Sequence, residues 1–235
     1  MASDKSWQLL TLLHFSDSAF PTGAFGHSFG LEYAITMKWI KGLEDLLEFS
    51  KEVLYHSLIK GEAIFILLAY EAAKKNDLQK IHLLDDISRL YRPSHQSREA
   101  SAQIGRSLVS LVADVYKIEF LDTIKNYIYS ELENQPIQHG VAWGVVGGCL
   151  DIESSDILIS FLSGFFRQWA QVAVRILPLG QRESQIYIKE MNEMIFLEMS
   201  CLAGQVSLDM VSQCSLGYDM AQMGHESLKA RYFRS

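Results

Sequence analysis

The chain has 235 residues, which is room for one large domain or at most two and enough to bury a core without disulfide staples. Hydrophobic residues make up 49% and charged residues 21%, a globular rather than a disordered balance. The net charge of −7 excludes a general nucleic-acid binder, which needs a basic face to neutralise phosphates.

Three cysteines, Cys149, Cys201 and Cys214, show no CxxC spacing and read as reduced thiols of a cytoplasmic protein. The N-terminal apolar run is too short for a signal peptide. No run reaches 18 apolar residues: the best, Ile157 to Leu177, is broken by Arg167, Gln168, Gln171 and Arg175, so no membrane span is expected.

Trp7 to His14 predicts a turn or two of apolar helix. It leads into FSDSAFPTGAFGHSFGLE, Phe15 to Glu32, a non-periodic stretch of phenylalanines with Pro21, Gly23, Gly26 and Gly30. A segment that breaks the pattern of its own chain is where function or an unusual packing demand should be sought. A helix is predicted from Gly30 to Lys41. Leu43, Leu46, Leu47, Leu54 and Leu58 then recur at helical spacing, and Ala63 to Ala73 is apolar nearly all round, as in a buried helix.

Leu78 to Tyr91 predicts a helix stopped at Pro93, with Ser94 or Ser97 capping the next, whose apolar stripe is Ile104, Leu108, Leu111, Val112 and Val115. A further helix runs from about Phe120 to Leu132 and ends at Asn134-Gln135-Pro136. HGVAWGVVGGCL, His139 to Leu150, reads as a strand by its valines or as a helix whose glycines admit a neighbouring backbone. Helix is preferred, because no other segment offers a strand partner. Asp151 to Ser155 is placed as the cap of a helix to Leu177. Helices from Gln181 to Leu202 and, after Gly204, through Cys214 follow, and Gly217 leads into a basic tail. The expected fold is all-α, a single-domain bundle of about eight to ten helices over 1–235, with a tail at about 224–235.

GHSFG, Gly26 to Gly30, matches the G-x-S-x-G pattern of a hydrolase nucleophile elbow, so a serine hydrolase using Ser28 is the alternative to a binding role. That chemistry needs Ser28 on a strand-to-helix turn of a parallel sheet, and no sheet is expected. The competing reading has Gly26 and Gly30 permitting tight backbone packing and Ser28 as a helix-start hydroxyl. No phosphate-binding glycine pattern is present. None of the seven histidines pairs with another His or Cys at helical metal-site spacing, so no resident metal is expected. Arg175 and Arg182 flank ILPLGQ, either to meet a partner's anion or to form local salt bridges. In the tail, Leu228 and Tyr232 fall four apart, with Phe233 alongside and Lys229, Arg231 and Arg234 as cations. It reads as a frayed terminus or as a recognition element that orders on a partner.

Five segments in this order resemble the UreF family of urease accessory proteins: FPTGAFGHSFGLE, SREASAQIGRSL, HGVAWGVVGG, AVRILPLGQ and MGHESLKARYFRS. The resemblance runs through most of the chain. It implies a non-enzymatic, all-α homodimer acting as an adaptor. Its partners would be UreD (also called UreH), the GTPase UreG and the urease apoprotein. On this resemblance the assembly would deliver nickel to apo-urease, with the adaptor expected to gate GTP hydrolysis. No cofactor would be held stably: nickel passes through the complex, and GTP belongs to UreG. The expected partner-contact residues are Pro21, Gly23, Gly26 and Glu32 in the opening stretch, Arg175, Gln181 and Arg182 at the corner, and His225, Lys229, Arg231, Tyr232, Phe233 and Arg234 in the tail. The tail is expected to dock on UreD and to be removable without harm to the helical fold.

Overall fold

The glycine-rich segment forms a helix at the centre of the molecule. In the computed structural model, which describes residues 5–129, 137–202 and 206–235, the elements run α1 (Lys5–Ser16), α2 (Leu31–Thr36), α3 (Leu43–Val53), a π-helical segment (Leu54–Glu62), α4 (Ala63–Lys74), α5 (Leu78–Leu90), α6 (His95–Tyr116), α7 (Glu119–Ile128), α8 (His139–Cys149), α9 (Ser154–Ile176), α10 (Gln181–Glu198) and α11 (Leu216–Gly224). No strand occurs among the described residues. α3, the π segment and α4 form one continuous helix, so the described residues make ten helical rods, at the upper end of the expected number.

Every residue of α8 from Gly140 to Gly148 is buried, and four of them are glycines that let neighbouring helices come close. At Gly144 a Cβ would lie 2.1 Å from the carbonyl oxygen of Ile66, and at Gly148 it would lie 2.6 Å from that of Tyr70. The glycines therefore let the backbone of α4 press directly on α8. α6 and α9 complete the sheath, with Leu108, Val112, Phe161, Leu162 and Trp169 in one continuous core. Burial at about 25 cal/mol per Å² of apolar surface is what holds these helices together.

The start of α8 is capped from another helix. Gln138 precedes it with extended backbone, and its N–H donates at 2.5 Å to Asp85 Oδ1 on α5. Burial pushes the Asp85 carboxyl up to about 7, against the pull of that hydrogen bond. α5 starts on Asp77, whose side chain accepts the Lys80 N–H, and α6 starts on Ser94, which resolves the choice between Ser94 and Ser97.

Several boundaries differ from expectation. α2 ends at Thr36, because Lys38 takes φ 62 and turns the chain. Asp151 does not cap α9: it takes φ 56, and its carboxylate pairs with Lys74. The expected end of a helix at 130–136 lies outside the described residues, as does Gly204. The residues before Cys214 are not a helix beyond the short turn Leu208–Met210. In the π segment the carbonyls of Lys60 and His56 accept the N–H groups of Ser212 and Cys214 at 2.9 and 2.8 Å. These bonds hold 211–214 extended and postpone the helix to α11. The continuous helix Leu43–Lys74 and α9 are long and apolar enough to cross a membrane by length and composition alone. Both are core helices here, with 67% and 50% of their apolar windows buried.

Candidate functional site

The opening stretch and the tail, at opposite ends of the chain, form one structure. The opening stretch escapes helical periodicity because it must loop: Gly23 takes φ 82, Phe29 φ 47 and Gly30 φ 85, all left-handed backbone. At Gly30 a Cβ would also lie 2.8 Å from the backbone nitrogen of Gln222, so α11 seats against this point. Gln168 on α9 fixes the loop from below, donating to the carbonyls of Ala24 (2.7 Å) and His27 (2.5 Å).

The tail lies in the slot so made. The Arg234 N–H donates to Gly26 O at 2.7 Å, and the carbonyl of Ser235 accepts from the backbone N–H groups of Ser28 and Phe29 and from the Ser28 hydroxyl at 2.8 Å. The Ser235 hydroxyl meets His27 Nδ1 at 2.7 Å. Glu32 on α2 accepts the N–H of Tyr232 at 2.6 Å and of Phe233 at 3.1 Å, and faces His225 Nε2 at 3.0 Å. The other ring nitrogen of His225 faces Gln96 Oε1 at 3.1 Å. The Arg231 guanidinium closes the turn by donating to the carbonyls of Glu226 and Leu228.

The tail is thus neither frayed nor waiting for a partner to order it. Its apolar area is small, as expected, but backbone hydrogen bonds to Glu32 and to the opening stretch supply the anchorage. Glu32, His225 and Phe233 are 1%, 0% and 5% exposed, so in this chain they hold the tail and offer no side-chain surface. Removing 224–235 would strip the Glu32 carboxylate and the Ser28 and Phe29 N–H groups of their partners, so the expected harmless truncation does not fit this arrangement.

The same geometry disposes of the nucleophile elbow. Ser28 is fully buried, its hydroxyl is spent on a carbonyl, and no strand precedes it. Nor does it start a helix, since Gly30 occupies the N-cap of α2. Burial, then the charges of Arg234 and His225, holds His27 down to about 4, so its imidazole is neutral at physiological pH.

Around this buried latch the outward groups gather. Pro21, Gly23, Lys229, Arg231, Tyr232 and Arg234 are exposed and Gly26 is half-buried. Arg175, exposed at the end of α9, places its guanidinium 5.6 Å from the centre of the Phe233 ring, a cation–π contact that joins the corner to the tail. Neither Arg175 nor Arg182 forms an ion pair among the described residues, so the local salt bridges considered for them are not made. Gln181 and Arg182 stand exposed on the first turn of α10, and no hydrogen bond among the described residues ties them to the tail. His27, Gln96 and Gln168 belong to the site and were not singled out by sequence. Only His27, inside GHSFG, carried a local signal. Among the described residues no three His, Cys, Asp or Glu side chains come together as a metal site.

Fold and site define a helical scaffold whose distinctive feature is a composite, cationic and aromatic surface held by a buried latch. The UreF family model matches residues 40–192. The chain is 32% identical over 230 residues to the urease accessory protein UreF of Lachnoclostridium phytofermentans, covering 97% of this chain and 98% of the relative. It is also 32% identical to that of Corynebacterium glutamicum (95% and 96% covered) and 28% identical to that of Bacillus sp. strain TB-90 (97% and 99% covered). The chain belongs to the UreF family, which is one of accessory proteins and not of enzymes.

Proposed function

We propose that this protein is a urease maturation factor of the cytoplasm. It acts as a homodimeric adaptor that joins UreD (UreH) to the GTPase UreG while nickel is delivered to the urease apoprotein. In this reading nickel is cargo passing through the assembly, GTP belongs to UreG, and this chain holds no group of its own. Family membership supports the urease role. The observation that carries the adaptor role is the latch: the tail lies on the opening stretch so that Tyr232, Lys229, Arg231 and Arg234 face outward beside Pro21, Gly23 and Gly26. Aromatic and arginine anchors on a fixed backbone suit a protein interface, because little entropy is lost when they are covered.

Arg175 is the residue of this face suited to act on a phosphate. Without an ion pair among the described residues and steadied by Phe233, it is available to a GTPase docked there, where an arginine supplied in trans stabilises the charge developing on the transferred phosphoryl group. Gln181 and Arg182 extend the same corner. In cells lacking the gene, urease should accumulate without nickel, and the tagged protein should copurify UreD and UreG from the wild type. Normally nickel-loaded urease in the deletion strain would exclude this function. Unchanged GTP hydrolysis by the assembled complex after Arg175→Ala and Arg182→Ala would exclude the gating role alone.

A further inference from the structure

We propose that the groove between α1, the opening stretch and α9 is an anchor pocket, which receives one aromatic or aliphatic side chain from an acidic segment of a protein partner. The proposal builds on the adaptor reading. It adds a side-chain pocket beside the tail face and states what the partner must bring to it.

The groove encloses about 500 Å³, within the range of pockets that bury a ligand's side chains. Its floor is aromatic, with Phe15, Trp143, Phe161 and Phe165 among the lining residues. Phe15 and Trp143 meet edge to face at 5.1 Å, and Trp143 is pinned by its indole N–H donating to Ile157 O at 3.0 Å, so the floor is preformed. The rim is cationic. Arg167, Gln171 and Arg175 line it at four-residue spacing, one stripe of α9 about 12 Å long. Among the described residues neither arginine has an ion-pair partner. The groove's one carboxylate, Asp17, is already engaged by the Ala19 N–H at 2.6 Å, and its one imidazole, His139, is held neutral, with burial and then the Arg92 charge taking it down to about 3. Two cations against one occupied carboxylate, on a protein of net charge −7, make this mouth a local positive spot. Charge complementarity therefore selects an acidic segment, and the aromatic floor selects its apolar anchor.

Gly164 supplies the test. It lines the groove in mid-α9, and a Cβ there would meet nothing nearer than Arg167 Nη2 at 3.8 Å. Gly164→Leu therefore places an apolar side chain in the groove with no clash at Cβ. The probe is a fluorescein-labelled peptide with one phenylalanine between two pairs of glutamates, titrated into the full chain by anisotropy. Expected are at least tenfold weaker binding to Gly164→Leu at unchanged Tm, and a similar loss with Arg167→Glu, with lysines in place of the glutamates, or with alanine in place of the phenylalanine. Wild-type affinity in Gly164→Leu would overturn the proposal. So would equal binding of the alanine peptide with displacement by inorganic phosphate, which would mark a simple anion site. Dissociation of a dimer by Gly164→Leu in sedimentation, with peptide binding intact, would overturn it in favour of a second copy. Copurification of UreD and UreG with the wild type is scored separately: its failure refutes the adaptor reading and leaves the peptide result standing.

Discussion

The Glu32 carboxylate faces His225 Nε2 at 3.0 Å across 193 residues of sequence, and both side chains are buried. The same two oxygens accept the N–H groups of Tyr232 and Phe233. A buried carboxylate is tolerated only when its oxygens are satisfied, and here the tail satisfies them. Glu32 is therefore the peg on which the tail hangs.

Glu32→Ala should detach the tail. It leaves two backbone donors without an acceptor, each costing about 1–3 kcal/mol, and removes the partner of a buried imidazole. In hydrogen exchange read by mass spectrometry, the amides of Tyr232, Phe233 and Arg234 should lose their protection, while those of α8 keep theirs.

Acid should loosen the same latch through His27. The docked arrangement holds its pKa at about 4, below the ordinary imidazole value of about 6.5, so the ring binds the proton more readily once the tail is released. Docking is at full strength above pH 6.5 and weakens as the pH falls from 6.5 towards 4, by at most ~3 kcal/mol. The groups facing the imidazole are the Ser235 hydroxyl, Arg234 and His225. Tail protection relative to α8 in the same sample should fall between pH 7.5 and 5, and His27→Gln should flatten that dependence.

Asp85 should give a slope of the opposite sign in global stability. Its folded pKa of about 7 lies above the ordinary value, so this group's contribution is present at low pH and is lost as the pH rises through 7. Asp85→Asn keeps an oxygen for the Gln138 N–H and removes the buried charge. It should raise Tm at pH 8, with a gain that shrinks as the pH falls towards 4. Asp85→Ala, which removes the acceptor, should lower Tm at both ends.

Two glycines give a matched pair. Gly144→Ala drives a methyl group into the Ile66 carbonyl and should cost about 3 kcal/mol or more in urea unfolding. Gly164→Ala meets only the end of the Arg167 side chain, at ordinary contact distance, in mid-helix and should stabilise by about 0.5–1 kcal/mol.

The helices were legible because each buries one face, and the 3.6-residue rhythm of Leu46, Leu47, Leu54 and Leu58 records that. The α8 helix was legible by elimination, since valines without a strand partner cannot satisfy a strand. What escaped was long-range. Nothing near Glu32 announces that its acceptors serve Tyr232 and Phe233, because backbone donors leave no residue signature. The π segment escaped because the donors that meet its carbonyls, Ser212 and Cys214, lie far off in sequence. The tail misled for a physical reason: apolar area was weighed and hydrogen bonding was not, so Phe233 and His225 were placed on the surface they help to build.

The most direct test is the binding of UreD and UreG, measured by surface plasmon resonance, to the wild type and to Glu32→Ala. Glu32 is buried and its oxygens hold the tail N–H groups, so the substitution acts through release of the tail. With release verified by hydrogen exchange, at least a tenfold loss of affinity for one of the two partners is expected. Unchanged affinity for both, with the tail demonstrably released, would contradict the claim that the latched tail and opening stretch form the docking face.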